Sequence, residues 1–252
     1  MPPEKALALV VRGTDWSETS RIATLFTREH GKVRALAKGG RRLNGPFEVA
    51  FDLLNLCRVV YLRKAGGGLD LLTEAQVVER FPHLRTDLYA LNVGYYLAEL
   101  LADGTQDYDP HPDLFDAAIH TLRGLANPSQ ESDPVSAFEL VWLKELGYSP
   151  RLDACAVCAG ELPVPPPTPA RVVFSPEAGG VVCPNCAPGV RDRRPLSDPA
   201  RGALIALAGG SAAGPTSPPP PAVRREVRAV LGQTVSYVLG RRPRMLAYLD
   251  GG

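Results

Sequence analysis

The sequence predicts a multidomain α+β chain: a small closed β-barrel first, then a helical domain carrying an inserted four-cysteine zinc element. Three observations predict it. Short strand-like runs fill residues 1–80, and helical periodicity begins at Phe81-Pro82. Cys155-Ala-Val-Cys158 and Cys183-Pro-Asn-Cys186 form two C-x-x-C pairs with 24 residues between them. The expected domains are a barrel over 1–80, a first helical part over 81–150, a Cys₄ element over 151–190 and a C-terminal helical segment over 191–252 that packs with the first.

The barrel comes first. Ala6–Arg12 reads as a strand that Gly13-Thr14-Asp15 breaks; Arg21–Thr27 is a second, rich in branched and aromatic residues. Glu29-His30-Gly31 turns the chain into Lys32–Lys38, which alternates polar and apolar. After a loop over 39–46 come a long strand run from Phe47 to Arg63, a Gly66-Gly67-Gly68 hairpin and a last strand near Leu69–Val78. Five short strands with tight turns favour a closed barrel, of which the OB-fold is the commonest small form. Cys57 falls in an apolar run and reads as a buried strand residue.

The helices follow. Leu84, Leu88, Leu91, Tyr95, Ala98 and Leu101 recur near helical period. Leu114–Leu125 is a second helix. Asp133-Pro134 starts a third as N-cap and first helical residue, and Gly147 ends it. Val172–Phe174 and Val181-Val182 can pair as a hairpin leading into the second cysteine pair. Helices over Pro199–Leu207 and Val223–Leu239 flank a Gly/Pro linker at 209–221.

Two thiolates in one tight turn can grip a metal, and two such turns complete a tetrahedral site. Cys155, Cys158, Cys183 and Cys186 therefore read as ligands of one structural Zn²⁺, with Gly160 and Pro184 suiting sharp knuckles. Two disulfides or a redox pair are the competing uses. The segment Met1-Pro-Pro-Glu-Lys is no secretory leader, and a single redox pair does not explain two motifs so spaced. The expectation is a cytoplasmic, nucleoid-associated protein with no membrane span.

Net charge is +1, but the distribution is uneven: +4 over residues 1–80, −8 over 81–150 and +5 over 151–252. The densest basic cluster is Arg28, Lys32, Arg34, Lys38, Arg41 and Arg42, with Glu29 the one acid among them. Clustered Lys and Arg suit phosphate contact. Lys32, Arg34 and Lys38 share one strand parity, which makes one barrel face basic. Trp16, Phe26 and Tyr61 are the nearby aromatics for base stacking. Arg191, Arg193, Arg194 and Arg201 form a second basic set; Arg224, Arg225 and Arg228 form a third, with Arg241, Arg242 and Arg244 at the tail. The acidic middle, Asp103, Asp107, Asp109, Asp113 and Asp116, fits no calcium loop and reads as caps and solvated surface. No phosphate-binding loop, nucleophile elbow or deaminase motif is present.

Asp15-Trp-Ser-Glu-Thr-Ser-Arg21, then Phe26-Thr-Arg-Glu-His-Gly-Lys-Val-Arg34 and Lys38-Gly-Gly-Arg-Arg42, resemble landmarks of the bacterial RecO family. So do Tyr95-Tyr96, the run Gly147-Tyr-Ser-Pro-Arg-Leu-Asp153 before the first cysteine pair, and Leu239-Gly-Arg-Arg-Pro243. The Pro-rich stretch 163–169 and the linker at 209–221 depart from the pattern. The resemblance implies an OB-fold, a helical domain and a zinc element in a non-enzymatic recombination mediator. It implies binding of single- and double-stranded DNA, strand annealing without ATP, and partnership with RecR, single-strand binding protein and, indirectly, RecA. Lys32, Arg34, Lys38, Arg41, Arg42, Arg28, Trp16, Arg224, Arg225 and Arg228 are the expected DNA contacts. The alternatives are a metal-dependent nucleic-acid-processing enzyme and a zinc-stabilised adaptor that never touches DNA.

Overall fold

Alternation of small apolar and polar residues builds the strands of the N-terminal sheet. The computed structural model of the chain describes residues 2–40, 47, 52–64, 66–127, 133–162, 172–209 and 219–249. Its first five strands are β1 (Pro3–Asp15), β2 (Arg21–Thr27), β3 (Gly31–Ala37), β4 (Leu56–Leu62) and β5 (Asp70–Glu79). They close as β1-β2-β3-β5-β4, with β4 returning to β1 and β3 parallel to β5. The result is an OB-like barrel. Ala6, Ala8, Val10, Leu25, Val33, Ala35, Cys57 and Val59 fill it, and burial pushes the Cys57 thiol up to about 11.

Two strand boundaries differ from the sequence reading. Gly13 does not break β1, because Gly13 and Thr14 stay in register with Ala23 and Ile22; the irregularity is a bulge between Val10 and Arg12. That bulge lets Val10 and Val11 both be buried. The long run from Phe47 is not one strand either. Leu54 takes a left-handed φ of 68° and donates its N–H to Val10, so β4 starts only at Leu56.

Helix α1 (Leu88–Gly104) is capped by the Asp87 side chain, which accepts from Ala90 N at 3.0 Å. A 3-10 turn, Pro82–Arg85, precedes it, so the helix starts later than Leu84. Helix α2 is Pro112–Gly124. These two helices group with the barrel: one unit is Met1–Ala126 with Pro243–Gly252, the other Asn127–Arg242. The outer face of the barrel is thus partly a core surface. Leu9 is fully buried there, and Phe26 stacks on Phe115 of α2 with ring centroids 6.3 Å apart. The closing segment is fixed in this unit by Glu99, which accepts from Arg244 N at 2.8 Å and Met245 N at 3.0 Å.

In the second unit, α3 (Pro134–Glu145) begins as the sequence predicts, with Asp133 accepting from Ser136 N at 3.1 Å. The hairpin β6 (Val172–Ser175) and β7 (Gly180–Val182) gains a third strand that the sequence did not suggest, β8 (Arg194–Leu196), giving the order β7-β6-β8. Helices α4 (Asp198–Ala208) and α5 (Pro221–Leu239) complete the unit. Among the described residues, no helix is long and apolar enough to cross a membrane.

At Gly31 the barrel packs closely against the connection between α1 and α2. Its φ is +68°, and a Cβ there would lie 2.0 Å from the Asp109 carbonyl oxygen. Gly31→Ala should therefore destabilise the protein by at least about 2 kcal/mol, since a left-handed non-glycine residue alone costs 1–3. A denaturant titration showing a midpoint equal to that of the unsubstituted protein would contradict this packing.

Candidate metal centre and nucleic-acid interface

The two cysteine pairs sit on matching turns. In the first, Cys155 N donates to Gly160 O at 2.8 Å and Ala159 N to Cys155 O at 2.9 Å. In the second, Cys186 N and Ala187 N donate to Cys183 O at 3.1 and 2.9 Å. Ala159 takes a left-handed conformation, with φ 60°, just before Gly160. A backbone seam joins the turns: Arg151 N donates to Gly179 O, Val181 N to Arg151 O, and Ala156 N to Val181 O, at 2.9, 2.9 and 2.8 Å. Gly180 permits this seam, because a Cβ there would sit 2.2 Å from the Arg151 carbonyl oxygen.

The four Sγ atoms all lie within 4.8 Å of one another. A tetrahedron with metal–sulfur bonds of about 2.3 Å has edges of about 3.8 Å. The Cys158–Cys183 pair, at 3.9 Å, already matches it. Burial opposes ionisation of Cys155, but backbone N–H groups of Cys158, Cys183 and Val157 outweigh it and bring its thiol down to about 6. The set can hold one metal ion with protein ligands at every position. Three candidate carboxylates are used differently. Asp103, Asp107 and Asp116 each face a barrel cation, and among the described residues the cysteine set is the one cluster of three or more metal-ligating side chains.

The basic cluster of the barrel splits in two. Lys32 has a side chain only 12% exposed. Its ammonium donates to Ala102 O at 2.9 Å and Thr105 O at 2.5 Å, and lies 3.3 Å from Asp107. Arg28 makes a two-pronged pair with Asp116 at 2.9 and 2.8 Å, which holds the Asp116 carboxyl below its usual range. Arg34 and Lys38 are exposed, and no acidic partner is seen for either among the described residues. Arg41 and Arg42 lie outside the described residues.

Register completes the picture. Arg12 faces Thr24 across β1 and β2, and Thr24 faces Arg34 across β2 and β3. The row lines a cleft of about 460 Å³ with Thr14 and Ile22 beside it. Arg12 also pairs with Asp103 at 2.6 Å. Sequence reasoning passed over Arg12 because it lies outside the dense cluster; only strand pairing brings it to Arg34.

Trp16 is 64% exposed, in the connection between β1 and β2. Phe26 and Tyr61 are fully buried and cannot stack on a base. In the second unit Arg225 is exposed, Arg224 and Arg228 are half-buried, and one terminal nitrogen of Arg228 is enclosed. Arg201 is buried in the protein, since its backbone position on α4 faces inward.

Two family models match this chain: Recombination protein O N terminal over residues 1–81, and Recombination protein O C terminal over residues 85–247. The DNA repair protein RecO of Rhodopirellula baltica is 36% identical over 266 residues, covering 96% of this chain and 97% of that protein. That of Anaeromyxobacter dehalogenans is 35% identical over 251 residues, covering 99% and 97%. That of Myxococcus xanthus is 34% identical over 247 residues, covering 96% and 95%.

The knuckle geometry yields three expectations, the first two about metal retention. Cys155→Ser or Cys186→Ser should abolish metal retention, and acid should release metal from the unsubstituted protein as protons compete for the thiolates. Elemental analysis across a pH series checks both. Ala159→Gly, which removes a left-handed alanine, should stabilise the metal-loaded protein by about 1 kcal/mol in a thermal melt.

Proposed function

The chain belongs to the RecO family of DNA repair proteins, and from that premise we propose that it is a non-enzymatic mediator that binds DNA through the outer face of β1–β3. The observation that carries this reading is the Arg12–Thr24–Arg34 row. Neighbouring strands lie about 4.8 Å apart, so the backbones of Arg12 and Arg34 stand about 10 Å apart, with the Arg12 guanidinium half-exposed beside Asp103, a spacing from which two cations can reach a phosphate backbone. Lys38 extends the row where β3 ends. Trp16 offers a base-stacking platform beside it. Such contacts go to phosphates and carry no base identity, which suits a protein that must act on any sequence.

The four cysteines hold one Zn²⁺ in this reading. With every ligand supplied by protein, the metal braces the 151–190 segment and leaves no open position for substrate. Annealing of complementary strands without ATP, contact with RecR and single-strand binding protein, and help in RecA loading belong to the same proposal. Arg224, Arg225 and Arg228 would offer a second basic surface for the other strand. Their support is the family and the exposure of Arg225 on α5, with Arg224 and Arg228 half-buried beside it.

The test separates the two halves of the basic cluster. Arg34→Ala with Lys38→Ala should weaken binding to single-stranded DNA of several sequences about equally. The slope of log affinity against log salt should fall by ~0.7 for each lost contact. Lys32→Met should instead lower the melting temperature, because it strips the counter-charge from the end of α1. An unchanged slope and affinity in a folded double variant would place the DNA path elsewhere.

A further inference from the structure

Arg201 is 1% exposed, one turn into α4. Its Nε donates to the Leu152 carbonyl at 2.9 Å, and its Nη2 has no hydrogen-bond partner among the described residues. Asp198 on the same helix and Asp153 beside Leu152 are the acids whose charge reaches it. Taking a guanidinium out of water costs several kcal/mol, more than one hydrogen bond to a carbonyl returns. The group it holds is therefore the clue to its role.

That group lies three residues before Cys155. The flanking residue Arg151 forms the seam with Gly179 and Val181, and β7 runs from there into Cys183. Both knuckles hang on this seam, and Arg201 pins it to α4. The start of α4 is itself fixed. The Ser197 hydroxyl accepts from Ala200 N at 3.3 Å, and Ser197 donates through its N and Oγ to the Glu226 carboxylate of α5, each at 2.6 Å. A dication held by four thiolates carries a net charge of about −2. A buried cation on α4 that is hydrogen-bonded to the arm supplying one of those thiolates has the sign to offset it.

We propose that Arg201 is the positioning residue of the metal centre: it clamps the arm carrying Cys155 to α4 and so sets how tightly the four cysteines hold zinc. This rests on the zinc reading given above. The test is zinc affinity of the full chain, measured by competition with a chromophoric chelator, for the unsubstituted protein, Arg201→Met, Arg201→Lys and Val230→Ala. Val230 is fully buried on α5, so its truncation shows what loss of stability alone does to zinc binding. Arg201→Met should weaken zinc binding by about 10- to 100-fold, the range for lost contacts behind a metal ligand. Arg201→Lys keeps the charge without the planar Nε donor and should fall between. Val230→Ala should lower the melting temperature and leave zinc affinity unchanged. If Arg201→Met does not fold, Arg201→Lys decides alone. Affinity equal to that of the unsubstituted protein in either Arg201 variant, or an equal loss in Val230→Ala, overturns the clamp. If the unsubstituted protein takes up no zinc, the metal reading itself fails and the clamp goes with it.

Discussion

The Lys32 ammonium at the carboxyl end of α1 is the contact on which the first unit depends. A helix of this length presents unsatisfied carbonyls and a partial negative charge at its last turn. Ala102 and Thr105 supply those carbonyls, and Lys32 answers them from β3. Beside it, Tyr108 N donates to Lys32 O at 2.9 Å, and Gly31 allows the Asp109 backbone to come close. One short stretch of β3 therefore fixes both the barrel and the return of the chain toward α2. Moving the register of β3 by one residue would turn Lys32 into the barrel core and leave the helix end bare.

This contact also explains the chain's charge pattern. The acidic middle is not a free negative surface. Asp103, Asp107 and Asp116 meet Arg12, Lys32 and Arg28, and Arg123 returns the arrangement by pairing with Glu79 of β5 at 2.6 Å. Most of these pairs are exposed and each is weak alone. Their consequence is selective: Arg28 and Lys32 of the basic cluster are paired, whereas Arg34 and Lys38 have no acidic partner among the described residues. Arg34 stays exposed on the strand that carries the half-buried Lys32, while Asp103 of α1 reaches Arg12 at the other end of its row.

What could be read from the sequence divides along physical lines. The cysteine turns, the Asp133 cap, the β6–β7 hairpin and the barrel strands were legible, since each depends on residues close in the chain. The basic parity of Lys32 and Arg34 was legible too, but not that helices cover part of that face. That needs the tertiary fold, as does the burial of Phe26 against Phe115. Arg12 escaped notice because its partner row forms only through pairing across β2. Arg201 looked like one more surface arginine: its neighbours Arg191, Arg193 and Arg194 are not buried, and helical phase alone did not single it out. The left-handed φ of Ala159 was not legible, since nothing in the local sequence marks an alanine for it.

The same division bears on how the cations are used. Where a cation donates to backbone carbonyls at a helix end or on an irregular arm, as Lys32 and Arg201 do, it is drawn inward and becomes part of the scaffold. Where it faces hydroxyls and open solvent across paired strands, as Arg34 does beside Thr24, it keeps its charge available. Counting Lys and Arg along the chain cannot separate these cases, because both kinds occur within the same few residues. The separating variable is whether a helix end or an arm of irregular backbone needs a donor nearby. In this protein the end of α1 takes Lys32 and the segment before Cys155 takes Arg201. The cations left over, Arg34 and Lys38, are the ones that the proposed DNA path would use.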